Sequence, residues 1–216
     1  MYWRQIRRSK VSLLILLAAL LCCCGARPQV PPQEALVVEV GDGDTVIIAG
    51  GRKVRLLGID APELEKEGRP ADFLAHKAKA ELARLINGQR LRLEYDELRY
   101  DQYGRLLAYL FLPDGSLVNA EMVRQGLAKV YIFPPNTRYQ DRLLAAQREA
   151  LEARRGLWQQ ALAKDEPYYI GNKSSLRFHR PDCPGGRQTA PGNRVQLESP
   201  KEAYLKGYSP CRMCKP

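Results

Sequence analysis

The stretch VVEVGDGDTVIIAGGRKVRLLGI, residues 37–59, decides the fold. It contains three short runs rich in β-branched residues, at positions 37–40, 45–48 and 54–59. Glycines and aspartates separate the runs, which is typical of strands joined by turns. The Gly50-Gly51 pair between the second and third runs is a hairpin signal. The stretch therefore predicts three consecutive strands.

The rest of residues 35–158 completes a small barrel with helices. Two further apolar runs predict strands at 91–95 and 106–112, and apolar residues at helical spacing predict a helix over 71–87 that Gly88 stops. Residues 117–128 predict a shorter helix, and Thr137 with Gln140 forms a capping box for a third, which Gly156 ends. Trp158 is expected to pack back on the barrel. Five strands with a helix between the third and fourth indicate an OB-type barrel, an α+β fold.

Composition and charge favour a basic globular protein. The 216 residues leave room for one ordinary domain and a small additional piece. The formal net charge of +10 suggests a polyanionic partner, although charge alone supports only non-specific attraction.

The first 26 residues resemble an export signal. Four basic residues precede an apolar run at 11–21, which is shorter than the roughly 20 residues needed to span a bilayer. Cys22, Cys23 and Cys24 end the run. Either a lipobox-like sequence leads to lipid attachment, or an ordinary signal peptidase cuts after Ala26; an uncleaved anchor is the third alternative. Removing residues 1–24 takes away four basic and no acidic residues, so the charge falls from +10 to +6. Residues 27–34 are predicted to form an exposed leader.

Three motifs carry the chemistry of the barrel, and they lie at residues 41–45, 55–63 and 101–105. Together they offer three well-placed carboxylates, those of Asp44, Asp60 and Glu63, and two arginines. Hydrolysis of a phosphodiester requires neutralisation of charge on the phosphate oxygens and an in-line water. Hard cations take oxygen ligands. Asp44 in a turn and Asp60 at the end of a strand can point into one concavity. Each residue considered alone would be a turn former or a solvated side chain. Asp42 is assigned to the turn or to the support of a metal ligand.

These motifs, with residues 118–128 and 156–158, resemble the thermonuclease (staphylococcal nuclease-like) family over residues 35–158. The resemblance implies that Asp44, Asp60 and the main-chain carbonyl of Ala61 hold a calcium ion. The family has a threonine where this chain has Ala61, and alanine keeps the carbonyl. Glu63 would position or deprotonate the attacking water.

The resemblance also assigns the substrate contacts. Arg55 and Arg105 would hold the scissile phosphate, for which guanidinium is well suited because it is always charged and donates in a fixed fork. Asp101 and Tyr103 would organise their loop and contact nucleotide. Tyr131 could stack on a base or pack in the core. Cleavage in the family acts on DNA or RNA and leaves a 3′-phosphate.

Residues 168–216, after a linker at 159–167, are rich in cysteine and turn residues. His179 and Cys183 give H-x3-C, and Cys211 and Cys214 give C-x2-C, a set suited to a closed four-ligand zinc site. A segment this short buries too little apolar surface to fold without an additional cross-link, such as a bound metal or disulfides. The segment resembles the metal-binding module of the Ada DNA-repair protein, which uses four cysteines. Disulfides are the alternative, because an exported protein meets oxidising conditions. Ser199 and Glu202 predict a capped short helix.

The sequence thus predicts an exported, calcium-dependent nuclease of DNA and RNA with a structural zinc. It suggests membrane attachment through an N-terminal lipid and implies no protein partner. One alternative is a nucleic-acid-binding module of the same fold without catalysis. Another is a cell-envelope structural protein whose charge serves lipid or polysaccharide.

Overall fold

Five strands close a barrel in the N-terminal part of the chain. The computed structural model describes residues 30–160, 162 and 164–216. The strands of this part are β1 (Glu34–Val40), β2 (Thr45–Ile48), β3 (Arg52–Leu56), β4 (Ile59–Asp60), β5 (Arg90–Glu94), β6 (Leu106–Phe111) and β7 (Lys129–Val130). The barrel order is β1-β2-β3-β6-β5, closed by the antiparallel pairing of β5 with β1. Only β3 and β6 run parallel within it. The predicted five-stranded OB-type barrel is confirmed.

The predicted single strand over 54–59 is wrong, because it breaks in two. β3 ends at Leu56, and Gly58 has a φ of 76°. A side chain at Gly58 would be strained by this φ and would force Leu143 to move, since a Cβ there would lie 2.3 Å from Cδ1 of Leu143. The chain then continues as β4, which leaves the barrel and pairs antiparallel with β7. As a result Asp60 lies opposite Lys129 in a second, two-stranded sheet.

Three helices cover the barrel: α1 (Ala75–Ile86), α2 (Val118–Arg124) and α3 (Gln140–Glu152). α1 begins four residues later than predicted, after Leu74 in a left-handed conformation with a φ of 67°. The predicted capping box at the start of α3 is wrong. The N–H of Gln140 donates to the main-chain oxygen of Thr137 at 3.0 Å, and no side chain caps the helix.

A buried asparagine ties α2 to the break after β3. Asn119 is fully buried, its Oδ1 accepts from the N–H of Leu110 at 3.0 Å, and its Nδ2 donates to the oxygen of Leu57 at 2.8 Å. The carbonyl of Leu57 would otherwise lack a partner where the strand turns, and an unsatisfied buried polar group costs about 1–3 kcal/mol. Asn119 therefore stabilises the turn that directs Asp60 away from the barrel.

The C-terminal module is a small mixed structure. Its elements are β8 (Tyr169–Asn172), β9 (Arg177–His179), α4 (Pro184–Arg187), β10 (Arg194–Leu197), α5 (Pro200–Leu205) and β11 (Ser209–Pro210), with strand order β10-β8-β9-β11. The predicted cap of α5 is confirmed: the N–H of Glu202 donates to Oγ of Ser199 at 3.1 Å.

The module shares a hydrophobic core with α3. Trp158 is 3% exposed and meets Tyr204 edge-on at 4.9 Å between ring centroids. Ala150 and Leu151 of α3 join the same cluster, as does Phe178 of the module. The expectation that Trp158 packs on the barrel is therefore wrong, since the ring lies between α3 and the module. Residues 32–216 form one compact unit.

Polar contacts reinforce this interface. The buried Gln147 accepts from the N–H of Val130 at 2.8 Å and donates to the carbonyl oxygen of Tyr204 at 2.7 Å. Oγ of Ser209 donates to the oxygen of Val130 at 3.1 Å. β7 and the module are thereby joined through hydrogen bonds that water does not reach.

The predicted export signal at residues 1–26 lies outside the residues that the structure describes. Within the described part of the chain, no helix combines the length and the apolar character that crossing a bilayer requires.

Candidate functional site

One arginine joins two carboxylates at the edge of the barrel. Nη2 of Arg55 lies 2.9 Å from Oδ2 of Asp44 and 3.3 Å from Oδ1 of Asp60. Arg55 comes from β3, Asp44 from the residue before β2, and Asp60 from the end of β4. Nη1 of Arg55 also donates to the main-chain oxygen of Leu56 at 3.0 Å, which fixes the guanidinium. The structure therefore brings together three residues that the sequence separates.

The β1–β2 turn places Asp44 against the start of the next motif. Oδ2 of Asp44 accepts from the main-chain N–H of Ala61 at 2.7 Å, and Oδ1 accepts from the hydroxyl of Thr45 at 3.2 Å. Oδ1 of Asp42 accepts from the N–H of Asp44 at 3.0 Å, in agreement with its assignment as a turn former. Gly43 allows this approach, since a Cβ there would lie 2.6 Å from Cβ of Ala61.

Burial dominates the electrostatics of Asp44. The residue is 6% exposed, and desolvation raises its pKa to about 7. The positive charge of Arg55 opposes this shift, while Asp42 and Asp60 add to it. A buried carboxylate with two acidic neighbours and one guanidinium is short of positive charge.

Glu63 lies in the same groove as Asp60, three residues further along. Its carboxylate is nearly half exposed and pairs with Nζ of Lys66 at 3.0 Å. Its main chain is anchored by Asp72, whose Oδ2 accepts from the N–H of Glu63 at 3.0 Å and whose N–H donates back to the Glu63 oxygen at 2.9 Å. The backbone of Glu63 is thus fixed while its side chain stays accessible to solvent.

The third motif forms a separate, ordered loop. Asp101 accepts from the N–H groups of Tyr103 and Arg105, and its Oδ2 accepts from Nε of Arg105 at 2.6 Å. Arg105 precedes β6, on which Leu107 lies opposite Arg55 of β3. Arg105 and the exposed Tyr103 line a smaller concavity of about 300 Å³. Among the described residues Arg105 pairs with Asp101 and not with Asp44 or Asp60, so its action on a shared phosphate stays a prediction.

The groove beside Asp60 contains residues that sequence reasoning gave no role. It encloses about 860 Å³ and is lined by both the barrel and the C-terminal module. Lys129 and Arg212 line it. Burial lowers the pKa of Lys129, although Asp60 opposes this. Tyr131 also lines the groove, with the guanidinium of Arg177 3.9 Å from its ring centre. One face of Tyr131 is therefore covered by an arginine, and base stacking there stays a prediction.

The four predicted zinc ligands converge in the module. The ligand atoms of His179, Cys183, Cys211 and Cys214 all lie within 4.8 Å of one another. Sγ of Cys183 is 3.5 Å from Nδ1 of His179, and the three cysteines of the described residues are free thiols. Three thiols and one imidazole are a donor set that suits tetrahedral zinc.

Comparison with known proteins agrees with this geometry. The model of the staphylococcal nuclease homologue family matches residues 53–160, half of the chain. This chain belongs to the staphylococcal nuclease family. Residues 156–216 match the model of the metal binding domain of Ada.

Individual relatives of the nuclease part are bacterial. The thermonuclease of Staphylococcus intermedius is 38% identical over 127 residues, which cover 57% of this chain and 75% of the relative. The thermonuclease of Staphylococcus hyicus is 35% identical over 125 residues, covering 56% and 73%. Endonuclease YncB of Bacillus subtilis is 38% identical over 122 residues, covering 54% and 57%. The barrel is thus a thermonuclease-like nuclease domain whose substrate is nucleic acid, and the C-terminal module is an Ada-like zinc-binding domain.

The staphylococcal nuclease family implies a divalent metal, and the residues at the barrel edge fit one. All the offered donors are oxygens, from Asp44, Asp60 and the main chain of Ala61, as a hard cation requires. The buried carboxylate of Asp44 lies within 4 Å of only one described cationic group, Arg55. A bound cation would supply the charge that this cluster lacks.

The thiols of the Ada-like domain differ in how readily they ionise. Burial raises the pKa of Cys214 to about 12. Burial would also raise the pKa of Cys211. Hydrogen bonds from the N–H groups of Cys214 and Met213 outweigh this effect and hold the pKa of Cys211 below its ordinary value. Burial lowers the pKa of His179, which favours the neutral imidazole that ligates metal. A bound zinc ion would favour the thiolate form of Cys214, which burial otherwise disfavours.

Proposed function

We propose that this protein is an exported, calcium-dependent nuclease that cleaves DNA and RNA to leave 3′-phosphate and 5′-hydroxyl ends. The observation that carries the proposal is the cluster in which Arg55 lies within 3.3 Å of both Asp44 and Asp60, with Glu63 in the adjoining groove. A cation-binding carboxylate pair, a guanidinium and an accessible carboxylate are the groups that phosphodiester hydrolysis uses. Membership of the nuclease family supports the same conclusion.

Each residue has a distinct role in the proposed reaction. Asp44, Asp60 and the carbonyl of Ala61 would hold the cation, which neutralises phosphate charge when bound. Glu63 orients the attacking water and accepts its proton. Arg55 and Arg105 donate hydrogen bonds to the phosphate oxygens, which carry negative charge while the water oxygen bonds to phosphorus. The bond from phosphorus to the 5′ oxygen breaks, the 5′ oxygen takes a proton from solvent water, and the phosphate remains on the 3′ side.

A metal titration tests the reaction. Purified protein is stripped of divalent ions and incubated with single- and double-stranded DNA and with RNA. Calcium, magnesium or manganese is then added in increasing amounts. We expect cleavage that depends on calcium and products that a polymerase extends only after phosphatase treatment. Binding of nucleic acid without cleavage under any of these ions would instead favour the non-catalytic binding module.

Variants test the assignment of residues. Asp44→Asn and Arg55→Ala are expected to abolish cleavage while the fold persists, and Glu63→Gln should lower turnover more than binding. Asp141→Asn is the matched control, because Asp141 is exposed on α3 and outside the groove. Circular dichroism of each variant checks that folding is retained. Full activity in Asp44→Asn would contradict the proposed cation site.

Export is supported by the basic and apolar composition of residues 1–26. The test is to express the full chain in a bacterial host, fractionate the cells and assay nuclease activity in each fraction. Incorporation of a radiolabelled fatty acid that is lost in the Cys22→Ala variant would indicate the lipoprotein. A soluble exported product shortened by 26 residues would indicate ordinary cleavage, and activity confined to the cytoplasm would contradict export.

A further inference from the structure

An arginine of the zinc-binding domain reaches the nuclease site. Arg212 lies in the loop between the zinc ligands Cys211 and Cys214, and its Nη2 is 3.6 Å from Oδ1 of Asp60. Its guanidinium carbon is 5.8 Å from the ring centre of Tyr131. Asp60 and Tyr131 of the groove therefore both lie near Arg212. The loop between Cys211 and Cys214 that carries this arginine is called the zinc loop.

The loop that carries Arg212 is fixed at both ends. The N–H of Cys211 donates to the oxygen of Phe178 at 2.9 Å, and the N–H of Lys215 donates to the oxygen of Cys211 at 2.9 Å. The neighbouring N–H of Arg180 donates to Sγ of Cys214 at 3.4 Å. Zinc binding would clamp the same two cysteines. The main-chain position of Arg212 is thus set by the fold of the module.

The module itself is seated on the nuclease domain. The buried hydrogen bonds of Gln147 and Ser209 join α5 and β11 to α3 and β7. β7 pairs with β4, which carries Asp60. The module that carries the zinc loop is therefore attached through β7 to β4, the strand of Asp60.

The ion pair between Arg212 and Asp60 leaves the guanidinium free for another partner. The separation of 3.6 Å is long, and the Arg212 side chain is 78% exposed. Exposed pairs of this kind contribute little stability. An arginine with open donors beside a phosphodiester site is well placed to bind phosphate.

The charge of the groove fits a polyanion. Its basic lining residues come from both domains and outnumber the acidic ones, which are Asp60, Glu63 and Asp72. The basic residues are Lys66, Arg69, Lys129, Arg212 and Lys215. Of these basic residues, the module contributes Arg212 and Lys215.

We propose that the zinc loop forms one wall of the nuclease groove and that Arg212 binds a backbone phosphate of the nucleic-acid strand being cut. This inference rests on the proposed nuclease function of the same site. Arg212 is then a substrate-binding residue that the zinc-binding domain contributes to the reaction of its neighbour.

The test compares three variants of the full chain. Arg212→Ala removes the guanidinium, Arg212→Lys keeps the charge, and Arg187→Ala removes one exposed arginine of the same module outside the groove. Initial rates on a fluorescent single-stranded DNA give kcat and KM. We expect Arg212→Ala to raise KM about tenfold, the size expected for a hydrogen bond to a charged group, with little change in kcat. Arg212→Lys should recover part of the loss.

A binding experiment separates this inference from the proposed function. Affinity for short oligothymidylate is measured against salt in Glu63→Gln protein, with each of the three changes added. Because log K falls as log salt rises, losing one phosphate contact on a single strand should make this negative slope shallower by about 0.7 for Arg212→Ala. The slope should stay unchanged for Arg187→Ala. Zinc content measured for each variant checks that the module is intact.

The outcomes are distinct. If the wild-type protein binds DNA but cuts nothing, the proposed function fails, and the binding experiment still decides the role of Arg212. Equal KM and equal salt slopes for Arg212→Ala and Arg187→Ala, with zinc retained in both, would overturn the inference.

Discussion

Replacing Gln147 by methionine should uncouple the two domains. The change keeps the length of the side chain but removes its amide. In the native protein Gln147 is 1% exposed, and its amide satisfies the N–H of Val130 at 2.8 Å and the carbonyl of Tyr204 at 2.7 Å. Both partners would be left buried without a hydrogen bond, one on each side of the interface.

The magnitude follows from these two lost partners. An unsatisfied buried donor or acceptor costs about 1–3 kcal/mol, so the pair costs about 2–6 kcal/mol. That is a large part of the free energy of unfolding of a folded protein, which is roughly 5–15 kcal/mol. For a unit of this size, a loss near 4 kcal/mol corresponds to a fall of roughly 8–16 °C in Tm.

Chemical denaturation and hydrogen exchange measure this effect. Unfolding in urea gives the change in free energy, and exchange rates at Val130, Tyr204 and Ser209 report opening at the interface. Gln89→Leu is the control, because the side chain of Gln89 is exposed and, among the described residues, donates only to the oxygen of Leu85. This change should alter stability by less than about 0.5 kcal/mol. A loss below about 1 kcal/mol for Gln147→Met, with unchanged exchange, would refute the reasoning.

Three further predictions concern the sites themselves. Gly43→Ala should lower stability by about 1–3 kcal/mol by thermal melting and reduce cleavage, because its Cβ would lie 2.6 Å from that of a neighbouring alanine. Partial burial would raise the pKa of Asp101, but hydrogen bonds from Arg105 outweigh it and hold that pKa below its ordinary value. Asp101→Asn should therefore be less stable than wild type at pH 7, and melts in acid should show the gap closing as the pH falls below about 4. Gly185→Ala should weaken zinc binding about tenfold in a competition titration, because its Cβ would lie 3.2 Å from Cε1 of His179.

The barrel was predictable because its strands carry local signals. β-branched runs marked β1 and β2, and the two glycines with φ of 88° and 76° marked the turn before β3. At the break, the signal was a single glycine, Gly58, inside a continuous apolar run. Leu143, which is distant in sequence, packs so closely there that it favours a residue without a side chain. Tertiary packing of this kind overrides a continuous apolar run.

The candidate site was predictable to a similar extent. The resemblance to the nuclease family named Asp44, Arg55 and Asp60, and the structure brings these three into contact. The C-x2-C motif drew attention to Cys211 and Cys214, yet nothing in the sequence indicated that Arg212 would face Asp60. That contact depends on how one domain docks on the other, which no local pattern records.

The docking also changes how the module's stability is understood. The sequence suggested that residues 168–216 need a bound metal or disulfides because they bury too little apolar surface. In the structure their aromatic cluster of Tyr169, Phe178 and Tyr204 is completed by Trp158 and Leu151 from outside the module. The nuclease domain thus supplies part of the core that the module lacks, and zinc need not provide all of the missing free energy. A core shared in this way holds the two domains in fixed relation, which a groove lined by both of them requires.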